Sequence, residues 1–456
     1  MTYSELLQKQ RDFIFAQRTK DISFRTEQLK KLKKLLKDNE SMLNDAIYKD
    51  FSKSPFETYS TEFALLFSEI NMAIKKVKRW SKPIKKTTNL ANMPGKSYII
   101  PEPFGNTLII GAWNYPYQLT LLPMVTALAA GNTAIVKPSE LAIHTSNAMA
   151  KLINENFDPG YIHVIEGGVK ETQELLEMRF DKIFFTGSVP VGKIIYKEAA
   201  KNMTPVTLEL GGKSPAFVLP DADIKMTAKR IVWGKFLNAG QTCVATDYVL
   251  ADKKIEKELL EALKTEIQTQ YPSFETIPEN YVQIINERNF DRLLKLIDPE
   301  KVYHGGEHDR GRRLIQPTIL SSIGFNDKVM EDEIFGPILP VIAYDDLNTV
   351  IKEVQNRERP LALYVFSKNK AAVTKIHREI SFGGGAVNDS VMHLTNHRLP
   401  FGGVGSSGIG NYHGYAGFQC FSHYKSILKK PFWFEPKIKY APYTDRKMKL
   451  MMKLMG

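Results

Sequence analysis

Two side chains in this sequence have the type and setting to serve as a nucleophile and a separate general base. Cys243 closes the run FLNAGQTC, three residues beyond Gly240, in a turn between a helical pattern and a strand-like segment. Its thiolate is a candidate nucleophile, although a lone cysteine also serves as a small buried hydrophobe. No Cys-x-x-Cys and no neighbouring histidine accompany it, which argues against a thioredoxin-type site or a local Cys–His pair. Glu209 ends PVTLEL, immediately before Leu210-Gly211-Gly212. It is either a general base separate from the nucleophile or an exposed strand-end carboxylate. Asn114, in GAWNYP, carries an amide that can stabilise an oxyanion or shape a turn. Cys420 has no such turn and reads as structural.

Other positions suggest a bound phosphate and sugar. FFTGSVPVG follows a strand and opens a helix, with Gly187 and Gly192 flanking the turn and Ser188 supplying a hydroxyl. Free N–H groups and the dipole make a helix N-terminus attractive to phosphate, but an ordinary strand-to-helix turn has the same pattern. Lys137 and Glu140 in KPSE either bracket a ribose or begin a helix after Pro138. Glu333 and Phe335 in EIFGP have the same two readings.

The elements that hold these residues follow from periodicity. Residues 1–80 have apolar positions at three- and four-residue spacing and read as helices. From residue 106 the pattern alternates. NTLII, NTAIVKP, YIHVIEG, KIFFTGS and PVTLEL are strand-like, separated by helical stretches over PMVTALAAG, Glu140–Asn156, Glu171–Met178 and Val191–Lys201. That alternation predicts a parallel sheet covered on both faces, with ligands beyond the carboxyl ends of the strands. Asp223 is placed to cap a helix running to Gly240, and a second alternating region runs from Tyr248 to about Asn388. Residues 103–136 lack charge, but Pro123, Gln118, Asn114 and Gly131-Asn132 interrupt them, so a buried strand–turn–helix–strand is expected rather than a membrane span.

The chain has 456 residues, 43% hydrophobic and 25% charged, which excludes a disordered or fibrous protein. Its two cysteines exclude a disulfide framework and a Cys-rich zinc site, and no metal is expected. The net charge of +12 is concentrated in two segments, 75–86 and 425–456, each +7, leaving −2 elsewhere. Such local runs read as solvated faces, so no nucleic acid is expected. The charged N-terminus lacks the apolar core of a signal peptide, and a cytoplasmic location follows as an expectation. The tail KMKLMMKLMG is too short for a stable membrane anchor; it reads as a frayed or partner-packed end, with a surface helix as the other reading.

Taken together and in order, GAWNYP, KPSE, FFTGS, LELGGKSP, NAGQTC, EIFGP and PFGGVGSSGIG resemble the aldehyde dehydrogenase superfamily. TEFALLFSEINMAIKKVKRW, GQTCVATDYVL and NYHGYAGFQCFSHYKS are most similar to its class 3, fatty-aldehyde-type branch. The resemblance implies an α/β fold: a Rossmann-like cofactor domain (1–82 and 101–210), an α/β catalytic domain (211–395), a bridging and oligomerisation segment (83–100 and 396–430) and a basic aromatic tail (431–456). It further implies oxidation of aliphatic or aromatic aldehydes to acids with NAD, NADP being possible, in a homodimer. Cys243 would form a thiohemiacetal and then a thioester, Asn114 would hold the oxyanion, and Glu209 would activate water. Gly187, Ser188, Val191, Gly192 and Leu210 would contact the cofactor near its pyrophosphate, Lys137 and Glu140 the adenosine ribose, and Glu333, Phe335 and Phe401 the nicotinamide end. Tyr115, Trp233, Leu237, Thr242 and Val391 would line the aldehyde tunnel. The competing readings are a semialdehyde-specific or CoA-acylating relative, a non-redox thiol hydrolase and a catalytically silent binding protein. Glu209 speaks against CoA acylation, because a base that activates water leaves the thioester unprotected.

Overall fold

The spacing of apolar residues in the first 80 positions produces the helices it predicts. The computed structural model describes residues 1–274 and 281–455, beginning with helices Tyr3–Phe15, Ile22–Asp38 and Glu40–Phe51. Thr2 and Glu5 form a capping box on the first, and Asp21 accepts from the Ser23 N–H at the second. Their buried faces carry Leu29, Leu32, Leu36 and Ile47. Between helices Pro55–Thr58 and Ala64–Trp80, the residues Tyr59–Phe63 widen into a π-helical turn. Such turns are rare and recur at functional sites.

A six-stranded sheet follows, in the spatial order Gly408–Ile409, Val206–Glu209, Lys182–Thr186, Asn106–Ile110, Thr133–Lys137, Ile162–Val164. The last five are parallel; Gly408–Ile409 closes one edge antiparallel to Val206–Glu209. The three strands Lys182–Thr186, Asn106–Ile110 and Thr133–Lys137 are buried throughout, as continuous apolar runs in a doubly covered sheet should be. The uncharged stretch forms a strand, the wholly buried helix Pro116–Ala130 and a second strand, with Gly131 (φ 99°) stopping the helix. A helix apolar on all sides belongs here to the protein core. No helix among the described residues is long and apolar enough to cross a membrane.

A second sheet has seven strands, in the order Val302–His304, Thr318–Leu320, Ile338–Tyr344, Tyr248–Asp252, Pro215–Val218, Ala362–Phe366, Gly384–Val387. All neighbours are parallel except the first pair. A third, antiparallel sheet joins Ile84–Lys86, Lys96–Pro103 and Ser422–Lys429.

Several boundaries differ from expectation, among them the helix expected over PMVTALAAG, which starts at Pro116. The helix capped by Asp223 ends at Phe236, because Asn238 (φ 55°) and Ala239 (φ 51°) turn left-handed before Gly240. The helix expected from Glu140 begins at Ile143, after a turn in which the Leu141 N–H donates to Ser139 Oγ at 3.3 Å. The last residues are helical over Asp445–Met455 rather than frayed.

Candidate active site

Glu209 lies at the carboxyl end of its strand and is 3% exposed, so it is not a solvated strand-end carboxylate. Its backbone is held on both sides: its carbonyl accepts from the Gly187 N–H at 3.0 Å, and it pairs with Gly408. Neither carboxylate oxygen has a hydrogen-bond partner among the described residues. Burial therefore raises its pKa well above the usual carboxylate range.

Cys243 is half-buried and unpaired, and it follows the tight turn Leu237–Gly240. Three successive left-handed residues bend that turn; at Gly240 (φ 72°) an added Cβ would lie 2.3 Å from the Gly336 carbonyl oxygen. Gln241 fastens the next step, with Nε2 donating to the Asn238 and Gln283 carbonyls and Oε1 accepting from the Ile285 N–H at 3.0 Å. Asn114 Nδ2 donates to the Gln241 carbonyl at 3.0 Å. One amide hydrogen is thereby used, and the second stays available beside the Cys243 turn. Burial raises the thiol pKa, and the carboxylates of Glu333 and Glu209 raise it further, opposed by the backbone N–H groups of Cys243 and Val244. Asn114 is thus tied to the turn that precedes Cys243, and Glu209 lies within electrostatic reach of the thiol.

Residues expected at a cofactor divide into two sets. Lys137 is buried and donates to the Pro138 carbonyl at 2.9 Å, with Glu140 at 3.7 Å and largely open to solvent. Burial lowers the lysine pKa, countered by Glu140. Ser188 is the N-cap of helix Val189–Ala200, yet its side chain makes no capping bond, so both hydroxyl and helix end remain open to an anion. Val191 is exposed, and Gly192 packs on Leu210, where a Cβ would come within 2.7 Å. In the second set, the Glu333 carboxylate lies so close to Gly211 that a Cβ there would come within 1.9 Å of it. Burial, then Asp247, push its pKa up to about 8, with the Gly212 N–H, Lys213 and Lys235 opposing. Phe335 (φ 50°) packs edge-on against Trp113, 5.3 Å between ring centroids. Phe401 stacks on His413 and meets Tyr412 edge-on, and Tyr412 lies in the field of Glu209 and Cys243.

Of the residues expected to line the aldehyde tunnel, Tyr115 and Thr242 share a hydroxyl hydrogen bond of 2.5 Å directly beside Cys243. Val391 (φ 64°) packs where Gly234 lacks a side chain, next to Trp233, which is 37% exposed. Leu237 begins the nucleophile turn. Cys420 Sγ contacts Thr207 Oγ1 at 3.1 Å. Among the described residues, no cluster of His, Cys, Asp or Glu could hold a metal ion.

Sequence reasoning missed several charges beneath the site. Lys53 and Glu62 form a fully buried ion pair at 3.1 Å, and Glu57 accepts from the Asn238 N–H at 2.9 Å. Lys235 is also wholly buried, and its pKa falls to about 8, chiefly through burial. Its position was readable: it continues the apolar face set by Ile224, Ala228, Ile231 and Val232 at helical spacing.

The aldehyde dehydrogenase family model matches residues 9–427. The chain is 46% identical over 436 residues to the 4,4'-diaponeurosporen-aldehyde dehydrogenase of Staphylococcus aureus, covering 95% of each. It is 43% identical over 443 residues to the mouse (Mus musculus) enzyme named aldehyde dehydrogenase, dimeric NADP-preferring, covering 96% of this chain and 97% of that one. A solved structure of Staphylococcus aureus AldH in a substrate-bound state superposes with a TM-score of 0.97 at 44% identity, over 100% of both chains.

Proposed function

This chain belongs to the aldehyde dehydrogenase family, and from that premise we propose that it oxidises apolar aliphatic or aromatic aldehydes to free carboxylic acids through a thioester on Cys243. The observation that carries the proposal is the buried, unpartnered Glu209 carboxylate within electrostatic reach of a cysteine whose turn is tied to an asparagine amide.

In this reading Cys243 loses its proton and its sulfur bonds to the aldehyde carbonyl carbon. Burial disfavours negative charge on the thiol, so the proton needs a nearby acceptor. The second Asn114 amide hydrogen and the Cys243 backbone N–H stabilise the oxyanion that forms. A nicotinamide dinucleotide held by Ser188 and Glu333 would supply the hydride acceptor needed for oxidation to the thioester level. Glu209 then takes a proton from water, the water oxygen bonds to the acyl carbon, the C–S bond breaks, and that proton passes to the departing sulfur, restoring the thiol and the Glu209 carboxylate as the acid leaves.

The cofactor-side residues fit such a dinucleotide. The uncapped helix end at Ser188 suits a pyrophosphate. Gly211 leaves room for the Glu333 carboxylate to meet ribose hydroxyls. Glu140, open to solvent beside buried Lys137, suits the adenosine ribose. A carboxylate there accepts from a 2′-hydroxyl and repels a 2′-phosphate. NAD is therefore used at least as well as NADP, with Lys137 keeping the preference modest. The name of the mouse relative, NADP-preferring, supports use of NADP beside NAD. The word dimeric in that name supports a homodimer here. Tyr115, Trp233, Leu237, Thr242 and Val391 favour an apolar aldehyde.

Absorbance of reduced nicotinamide with a panel of aldehydes, with and without CoA, tests the proposal. CoA-independent reduction with release of free acid is expected. An absolute CoA requirement would select the acylating alternative.

A further inference from the structure

We propose that Lys53, Glu57 and Glu62 form a positioning network that sets the oxyanion amide of Asn114 against the Cys243 turn; this rests on the reading of those two residues given above. The network comes from the N-terminal helical segment, more than 50 positions from Asn114 and 180 from Cys243. Its geometry runs in two branches.

In the first, Glu57 Oε1 accepts from the backbone N–H of Asn238 at 2.9 Å. Asn238 is the first left-handed residue of the nucleophile turn. Its own Nδ2 donates to the Asn114 carbonyl at 2.9 Å and to the Gln241 carbonyl at 3.1 Å. The Gln241 carbonyl also receives Asn114 Nδ2 at 3.0 Å. A single carboxylate oxygen thus anchors the residue that ties the oxyanion strand end to the nucleophile turn.

In the second, Glu62 sits in the π-helical turn Tyr59–Phe63 and is wholly buried. Glu62 Oε2 accepts from the N–H groups of Tyr117 at 2.7 Å and Gln118 at 3.2 Å. These belong to the first turn of helix Pro116–Ala130, directly after Asn114. Free N–H groups at a helix start favour a carboxylate. Lys53 Nζ pairs with Glu62 Oε1 at 3.1 Å and lies 4.6 Å from the Tyr115 ring centroid, while Tyr115 reaches Thr242 next to the nucleophile. Lys53 is the cation that offsets both carboxylates.

Each of the three reaches Cys243 only through other residues, namely Asn238, Tyr117 and Tyr115, so they position rather than react. A misplacement of about 1 Å costs up to ~10²-fold in rate, and the Asn114 donor is useful only if held where the oxyanion forms.

The test uses the full-length protein, NAD and hexanal, with rapid mixing to read the burst of reduced nicotinamide. Glu57→Ala should slow the burst by ~10–10²-fold, with the NAD dissociation constant and thermal midpoint near wild type. Glu57→Gln keeps the acceptor for the Asn238 N–H and should return the burst to near the wild-type rate. A wild-type burst in Glu57→Ala, or Gln as slow as Ala, would overturn the network. If Glu57→Ala does not fold, Glu57→Asp replaces it: the shorter side chain keeps the charge but loses the reach, so the burst must slow for Asp and hold for Gln, and the opposite order overturns the proposal. Absence of aldehyde-dependent reduction in wild type, or a burst surviving in Cys243→Ser, would instead sink the Cys243 reading itself.

Discussion

The end of the site that holds Cys243 and the end that suits the cofactor's adenosine half are built differently. Around Cys243 the backbone turns left-handed at Asn238 and Ala239, and Glu209 is buried with no partner. Around Lys137 and Ser188 the backbone follows ordinary strand-to-helix geometry, Lys137 has partners and Glu140 reaches solvent. Backbone strain costs ~1–3 kcal/mol per residue and an unpaired buried polar group a similar amount. The molecule places more of these costs where covalent bonds would change than where a ligand would only bind, where Thr186 Oγ1, just before Ser188, is buried without a partner among the described residues. Substitutions at the first end should therefore alter chemical steps, and those at the second should shift affinities.

The largest effect should come from Cys243→Ser, with turnover lost to the detection limit, since a hydroxyl is a far poorer nucleophile than a thiolate at neutral pH. Activity retained in that variant would break the comparison outright. Glu209→Gln comes next: thioester hydrolysis should slow by ~10²–10⁴-fold, the reach of a general base. If Glu209 acts only on water, a near-stoichiometric burst of reduced cofactor should persist, with the acyl group found on Cys243 by mass spectrometry. A slowed burst would add thiol ionisation to its role, and unchanged turnover would remove the base assignment.

The third concerns stability. Glu333 rises from 4.5 to about 8 in the folded state, chiefly by burial. Between those values the folded protein holds a proton that the unfolded chain has released, so raising the pH through this window lowers stability. Glu333→Gln should flatten that part of the curve of thermal midpoint against pH. An unaltered slope would place the titration elsewhere.

A smaller shift is expected at the binding end. Glu140→Gln should move the ratio of kcat/KM for NAD over that for NADP toward NADP by roughly tenfold or less, the scale of one partly exposed charge contact. A fall in maximal burst rate instead would show that this end also shapes the chemistry. Cys420→Ser should be nearly silent in turnover, the smallest effect of the set.

Much of this arrangement was legible in the sequence because it depends on local rules. Strands such as NTLII, a helix stop at Gly131, and polar residues at strand ends need only neighbouring positions to declare themselves. The helix end at Phe236 falls four residues before the glycine that the sequence offers as its stop, since Asn238 and Ala239 are left-handed for tertiary reasons, with Glu57 holding the Asn238 N–H. The set of Lys53, Glu57 and Glu62 was invisible for the same reason. Its partners lie at Tyr117 and Asn238, and no periodicity links positions so far apart. Glu62 did leave a trace, as a carboxylate within the largely apolar run TEFALLF, on a helical segment whose inward face is apolar except for Thr61 and Glu69.

The short antiparallel edge Gly408–Ile409 sets an order in time. It pairs with Glu209, and the neighbouring Leu210 N–H donates to the Ser407 carbonyl at 3.2 Å, so the backbone that carries Glu209 is braced by residues about 200 positions later. Strand Ser422–Lys429 must likewise return to Lys96–Pro103. A ribosome releases the chain from the N-terminal end, and Cys243 emerges long before either brace exists. The growing polypeptide therefore carries its thiol before residues 408–429 have been made and can brace the site.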